Sequence, residues 1–121
     1  MKHIGIVGSR TRVSITEFRK VKKAFEKVYA KGDYIVSGGC RRGADEFAER
    51  LARQQGLPIL IFHADWKGLG KRAGFHRNTD IAVTSDVLIA CVAKDRKGGT
   101  EDTIRKFEKR MDYKQKNLIL V

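Results

Sequence analysis

Acidic residues are scarce in this chain. Fourteen Asp and Glu face 26 Lys and Arg over 121 residues, which leaves a formal charge of +12. The imbalance says little about fold, but it favours an anionic partner: a nucleotide, a nucleic acid or an acidic protein. A solvated, lysine-rich surface is the competing explanation, since Lys20, Lys22, Lys23 and Lys27 all fall off the apolar stripe of one helix. Long apolar runs are also missing. None approaches the roughly 20 residues that a membrane helix needs, so no membrane partner is expected. Residues 2–7 read as a strand and leave no room for a signal peptide, so a cytoplasmic location is expected. The two cysteines, Cys40 and Cys91, lack metal-ligand spacing, and Cys91 sits in an apolar run. Both read as reduced thiols without a disulfide, and neither a metal nor a cofactor is expected. Repeats, linkers and low-complexity segments are absent as well. Residues 1–121 therefore read as one domain with room for a modest core.

What the chain does have is alternation, punctuated by glycine. Residues 3–8 form a short apolar run bounded by glycine, as a buried strand would. Ser14, Ile15, Thr16 and Glu17 have the form of a capping box. Ile15, Phe18, Val21, Phe25 and Val28 then recur at helical spacing, with Gly32 as a natural stop. Residues 33–36 predict a second strand, 43–55 a second helix ending at Gly56, and 59–62 a third strand opened by Pro58. Residues 63–74, with Gly68, Gly70 and Gly74 among Lys67, Lys71 and Arg72, read as a mobile basic loop. Its Trp66 is expected to seal the edge of the core rather than to stack on a ligand. A helix over 75–84, an almost wholly apolar strand over 87–93, a helix capped by Thr100 and running to about residue 111, and a strand over 117–121 complete the chain. This βαβαβαβαβ order means a Rossmann-like α/β/α fold with a five-stranded parallel sheet and helices on both faces.

Three of the strands lead into glycine-rich turns: Gly8, Ser9 and Arg10 after the first; Ser37, Gly38, Gly39, Cys40, Arg41, Arg42, Gly43, Ala44 and Asp45 around the second; and Gly98, Gly99 and Thr100 after the fourth. Glycines let backbone N–H groups approach an anion closely, and the following helix aims its positive end at the same spot. Strands one, two and four should therefore be neighbours, giving the order 3-2-1-4-5 with a pocket between one and four. Arg10 suits bidentate contact with a phosphate. Ser37, Gly38, Gly39 and Gly43 offer hydroxyl and backbone donors. Asp45, in the first turn of its helix, serves either a ribose hydroxyl or only the helix dipole. Arg77 and Asn78 are expected to open the helix before the fourth strand and lean over the pocket, with His76 a weaker neighbour. Arg77 is the foremost candidate. Its removal should weaken binding of a phosphorylated ligand and leave folding nearly unchanged. Asp86 reads as structural.

The GSR at Gly8, the SGGCRRGAD ending at Asp45, the HRN at His76, Asp86 and the GGT at Gly98 together resemble the SLOG superfamily. That group is named for the DNA-processing protein A family and the lonely-guy cytokinin-activating phosphoribohydrolases. The likeness is to its small single-domain YspA/YpsA-like branch. It implies a nucleotide or nucleotide-derived ligand, including signalling molecules such as an ADP-ribose derivative, and thus a ligand-sensing role. Two alternatives follow from the same resemblance. One is N-glycoside (nucleoside monophosphate phosphoribo-) hydrolysis, with Arg77, Glu101 and Asp102 as catalytic candidates. The other is single-stranded DNA binding in the manner of DNA-processing protein A. In the hydrolases the PGGxGTxxE motif ends in a glutamate, but the matching position here is Thr103. Glu101 and Asp102 sit one or two residues early, a rotation of roughly 100–200° on a helix. The hydrolase relatives are usually dimers, so a homodimer is one option for assembly.

Overall fold

The centre of the sheet is set by two strands that are apolar on both faces. In the computed structural model, which describes residues 1–40, 42–110 and 117–121, β1 (His3–Gly8) lies between β2 (Tyr34–Ser37) and β4 (Val87–Cys91). Strand β3 (Ile59–Ile61) pairs outside β2, and β5 (Leu118–Leu120) outside β4. All pairings are parallel and the order is β3-β2-β1-β4-β5, as the pattern of glycine turns predicts.

Alternation along the strands divides the core into two layers. On one face Ile4, Ile6, Ile35 and Ile89 meet helices α1 (Ile15–Val28) and α2 (Ala44–Gln55) through Phe18, Val21, Phe25, Phe47 and Leu51. On the other, Val7, Val36, Leu88 and Ala90 pack against α4 (Ala73–Thr84) and α5 (Gly99–Arg110) through Ile81, Ile104 and Phe107. Helix α1 starts where the capping box requires: the Glu17 N–H donates to the Ser14 hydroxyl and the Ser14 N–H to the Glu17 carboxylate. Ile15, expected on the buried stripe, is instead exposed at the first position of α1, ahead of the turns that meet the sheet.

The stretch 63–74 is not a loop throughout. Asp65 accepts the Gly68 N–H at 3.0 Å and starts a short helix, α3 (Trp66–Leu69). A 3-10 turn (Gly70–Arg72) then carries the chain directly into α4, which begins at Ala73 rather than Phe75. Trp66 does not seal the core. It is 56% exposed, with its indole against Gly74. Helix α5 starts at Gly99, so Thr100 lies inside the helix and is not its cap. Its expected end at Met111 falls outside the described residues. Strand β4 ends at Cys91, short of residue 93. Both cysteines are free thiols, and among the described residues no helix is long and apolar enough to cross a membrane.

At the amino ends of the strands, Asp33 ties β1 to the start of β2. Its carboxylate accepts the Lys2 N–H (2.6 Å), the Ala30 N–H (2.9 Å) and the Lys2 ammonium (2.7 Å). Burial by itself would raise its pKa, but these donors together bring it down to about 2. A carboxylate depressed in the folded state contributes stability that is complete above its unfolded pKa and lost as pH falls through the folded one. The urea midpoint should therefore fall between pH 4 and pH 2, and Asp33→Asn should flatten that fall while lowering the midpoint at pH 7. An identical pH profile in the two proteins would remove Asp33 from the account.

Candidate functional site

Strand order reverses at β1, because the chain proceeds to β2 and β3 on one side and to β4 and β5 on the other. At such a point the loops after neighbouring strands diverge and leave a crevice. Val7 pairs with Ala90 and Gly8 with Cys91, so the carboxyl ends of β1 and β4 finish level. A cavity of about 300 Å³ opens there. Gly8, Ser9 and Arg10 line it from the first turn, and Gly98, Gly99 and Thr100 from the third. Asp45 enters from α2, and Arg77 and Asn78 from α4.

The second glycine turn contributes less wall than its composition suggests. Of its residues, Cys40 and Asp45 line the cavity, while Ser37, Gly38, Gly39 and Gly43 do not. Ser37 is fully buried, and its hydroxyl accepts the Gly39 N–H at 3.4 Å. Gly39 lies against His63 and Ile61. Gly38 leaves space where a Cβ would meet the Arg77 guanidinium at 2.7 Å and the Asp45 carboxylate at 3.0 Å. Gly43 is pressed against the Ser9 carbonyl, so its glycine serves the approach of α2 to the first turn. Arg41 lies outside the described residues.

Arg77 and Asn78 sit in the second turn of α4 rather than at its start, because α3 and the 3-10 turn extend the helical stretch backward. They form a polar relay between the two outer glycine turns. Arg77 Nη1 donates to the Gly38 carbonyl at 2.8 Å, and Nε donates to Asn78 Oδ1 at 3.0 Å. Asn78 Nδ2 donates in turn to the Gly99 carbonyl and to the Asp102 carboxylate, both at 3.2 Å. Asp45 is buried and accepts the Cys40 N–H at 3.0 Å. Burial pushes its carboxyl above the ordinary value, against the opposing pull of that N–H and the Arg77 charge.

The acids of α5 point elsewhere. Glu101 is held in a two-point pair by Arg96, at 2.7 and 3.0 Å. Asp102 is buried against Asn78 and the Lys106 ammonium, the latter at 2.9 Å. Neither lines the cavity, whereas Thr103 does. Its hydroxyl donates to the Gly99 carbonyl at 3.2 Å. Asp86 lies at the opposite end of the sheet, accepting the His3 N–H (2.9 Å) and facing its imidazole (3.2 Å). His76 is exposed and does not line the cavity.

Sequence reasoning missed Val7, Ile81 and Lys97 in the lining. Lys97 could have been found from its place directly before Gly98, but Val7 and Ile81 carry no signal beyond core periodicity. It also missed Arg12, which steadies the first turn by donating to the Val92 carbonyl at 3.1 Å while pairing with Glu17 and the Val121 carbonyl. Among the described residues, no group of three or more His, Cys, Asp and Glu side chains could hold a metal ion.

Comparison with known proteins gives three findings. The Gene 61 protein of Mycobacterium phage D29 is 37% identical over 84 residues, an alignment spanning 64% of this chain and 66% of that protein. No solved structure matches the chain. The model of the YAcAr family matches residues 8–68, a stretch that holds the first two glycine turns together with β2, α2 and β3. With the sheet order and the turn geometry in agreement, the chain belongs to the YspA, cpYpsA-related SLOG family.

Proposed function

We propose that the chain binds a nucleotide or nucleotide-derived ligand in the cavity between β1 and β4. The observation that carries this reading is the meeting of two features at one cavity: the N-terminus of α5 at residues 98–100, and two cations, Arg10 from the first turn and Lys97 from the third. A helix N-terminus presents unpaired N–H groups and partial positive charge, which suit a phosphate. Asp45, entering from α2, offers a buried acceptor for a sugar hydroxyl. Membership of a SLOG family points to the same ligand class. Signalling molecules such as an ADP-ribose derivative fall within it, and binding without turnover makes the chain a sensor.

Binding is favoured over hydrolysis by the register of α5. The position facing the cavity carries Thr103, while Glu101 and Asp102 are engaged by Arg96 and Lys106. A general acid must come within hydrogen-bond reach of the atom it protonates. The test is calorimetric titration with nucleoside monophosphates, alongside chromatography for released base. Saturable binding with no base above the uncatalysed rate is expected, and Thr103→Glu should give a trace of release at most. Rapid base release by the unmodified chain would transfer the site to the hydrolase reading. Single-stranded nucleic acid binding draws on exposed Trp66 and Phe75 beside Lys67, Lys71 and Arg72. Oligonucleotide quenching of Trp66 fluorescence that persists at saturating nucleotide would support it.

A further inference from the structure

At the amino ends of the strands, away from the cavity, three polar side chains form a chain that the nucleotide reading does not use. His3 pairs with Tyr34 in the sheet register and Ile4 with Val87, so Tyr34, His3 and Asp86 stand side by side at the starts of β2, β1 and β4. The His3 imidazole joins the other two. Its Nδ1 lies 3.2 Å from the Asp86 carboxylate, and its Nε2 is in hydrogen-bond contact with the Tyr34 hydroxyl. We infer that this is a covalent site, in which the Tyr34 hydroxyl is a nucleophile that accepts an acyl group from an activated ester or thioester. The inference is independent of the nucleotide reading.

Proton placement follows from the partners. A carboxylate only accepts, so in the neutral imidazole the ring proton sits on the Nδ1 that faces Asp86. Nε2 then presents a lone pair, and the Tyr34 O–H donates to it. A hydroxyl, its base and a third group that orients the base thus stand in the order that activates a nucleophile. Burial alone would raise the Asp86 carboxyl, but the backbone N–H and imidazole of His3 hold it below the ordinary value and keep it ionised. Joining the strands does not require the imidazole. Asp86 already accepts the His3 N–H at 2.9 Å, and its own N–H donates to the His3 carbonyl at 2.8 Å. The His3 and Asp86 side chains are 29% and 44% exposed and Tyr34 is half-buried, so the group stands at the surface rather than in the core.

In the step, the Tyr34 oxygen bonds to the acyl carbon while its proton passes to His3 Nε2. The bond from that carbon to the leaving oxygen or sulfur breaks, and the departing group takes the electron pair and then the proton from the imidazolium. Asp86 is a positioning residue that acts through His3 and balances the imidazolium charge. The acyl class fits because its product is neutral. A phosphoryl group on Tyr34 would bring about two negative charges to the imidazole that Asp86 already holds.

The probe is 4-nitrophenyl acetate, with peptide mass mapping to locate the acetyl group and hydroxylamine to remove it from tyrosine but not from lysine. Tyr29 is the internal reference. It is half-buried like Tyr34, its ring stacks on Phe25 at 5.2 Å, and it hydrogen bonds to no histidine among the described residues. Tyr34 should be acetylated about 10²-fold faster than Tyr29, the lower end of what a positioned base contributes. His3→Gln should bring Tyr34 down to the Tyr29 rate. Asp86→Asn should slow Tyr34 several-fold with Tyr29 unchanged, whereas a structural loss would move both tyrosines together, and Asp86→Glu should restore part of the rate. Equal acetylation of the two tyrosines in the wild-type chain, a comparison that needs no variant to fold, would overturn the covalent site. So would a Tyr34 rate that His3→Gln leaves unchanged.

Discussion

Gly43→Ala is expected to lower the unfolding free energy by about 2–6 kcal/mol, and to abolish ligand binding in whatever fraction remains folded. Two costs add. Gly43 has φ 74° and ψ −148°, a region that residues with a Cβ occupy only at about 1–3 kcal/mol of strain. The new methyl group would also overlap the Ser9 carbonyl oxygen and stand 3.0 Å from its carbon and 3.3 Å from Arg10 Cα. Backbone cannot rotate aside as a side chain does, so overpacking adds about 1–3 kcal/mol. Relief requires α2 to draw back from residues 9–10, which line the cavity between β1 and β4. Gly56→Ala is the control, because Gly56 is also left-handed, with φ 62°, but has nothing within 4 Å of where a Cβ would stand. It should cost only about 1–2 kcal/mol. Urea denaturation of both variants measures the difference. Equal costs would mean that the contact with Ser9 carries no weight.

The contrast between those two glycines marks where the sequence was legible and where it was not. Sheet order could be read because it follows from features each segment carries by itself. The apolar runs are short and bounded by glycine, strand and helix alternate, and the strands followed by glycine turns must share an edge of the sheet. Gly8 and Gly99 accordingly line one cavity. The purpose of any single glycine was not readable, since it depends on a neighbour distant in sequence. Gly43 makes room for Ser9, and Gly38 for Arg77. Helix α3 was hidden because Gly68 and Gly70 dilute local helical preference, and a single side-chain cap from Asp65 outweighs them. Trp66 misled for a related reason. An isolated tryptophan in a basic stretch suggests a seal, but its ring rests on Gly74 beyond the reach of either core layer. Thr103, the position that matches the glutamate of the hydrolase motif, does line the cavity, and helical period set Glu101 and Asp102 away from it.

Arg77 is where the structure changes an expectation most. From the sequence it is a pocket arginine whose loss spares the fold, yet its guanidinium is already committed to the Gly38 carbonyl and to Asn78. Asn78 in turn reaches the Gly99 carbonyl, so the two side chains together space the second glycine turn from the third. Arg77→Ala should therefore act twice. Unfolding free energy should fall by about 1–3 kcal/mol, because two donor contacts of a charged group are lost and the Gly38 carbonyl is left without that partner. Affinity for a phosphorylated ligand should fall by a further 1.5–3 kcal/mol or so, as positive charge leaves the cavity and the α5 terminus loses its brace. Arg77→Lys distinguishes the two roles. It retains the charge, but a single ammonium cannot reproduce the planar fork that serves Gly38 and Asn78 together. Binding should recover in part and stability hardly at all. Denaturation midpoints and calorimetric affinities of the same three proteins decide it. Unchanged stability in Arg77→Ala would show that the relay bears no load and restore the simpler view of Arg77 as a ligand contact alone.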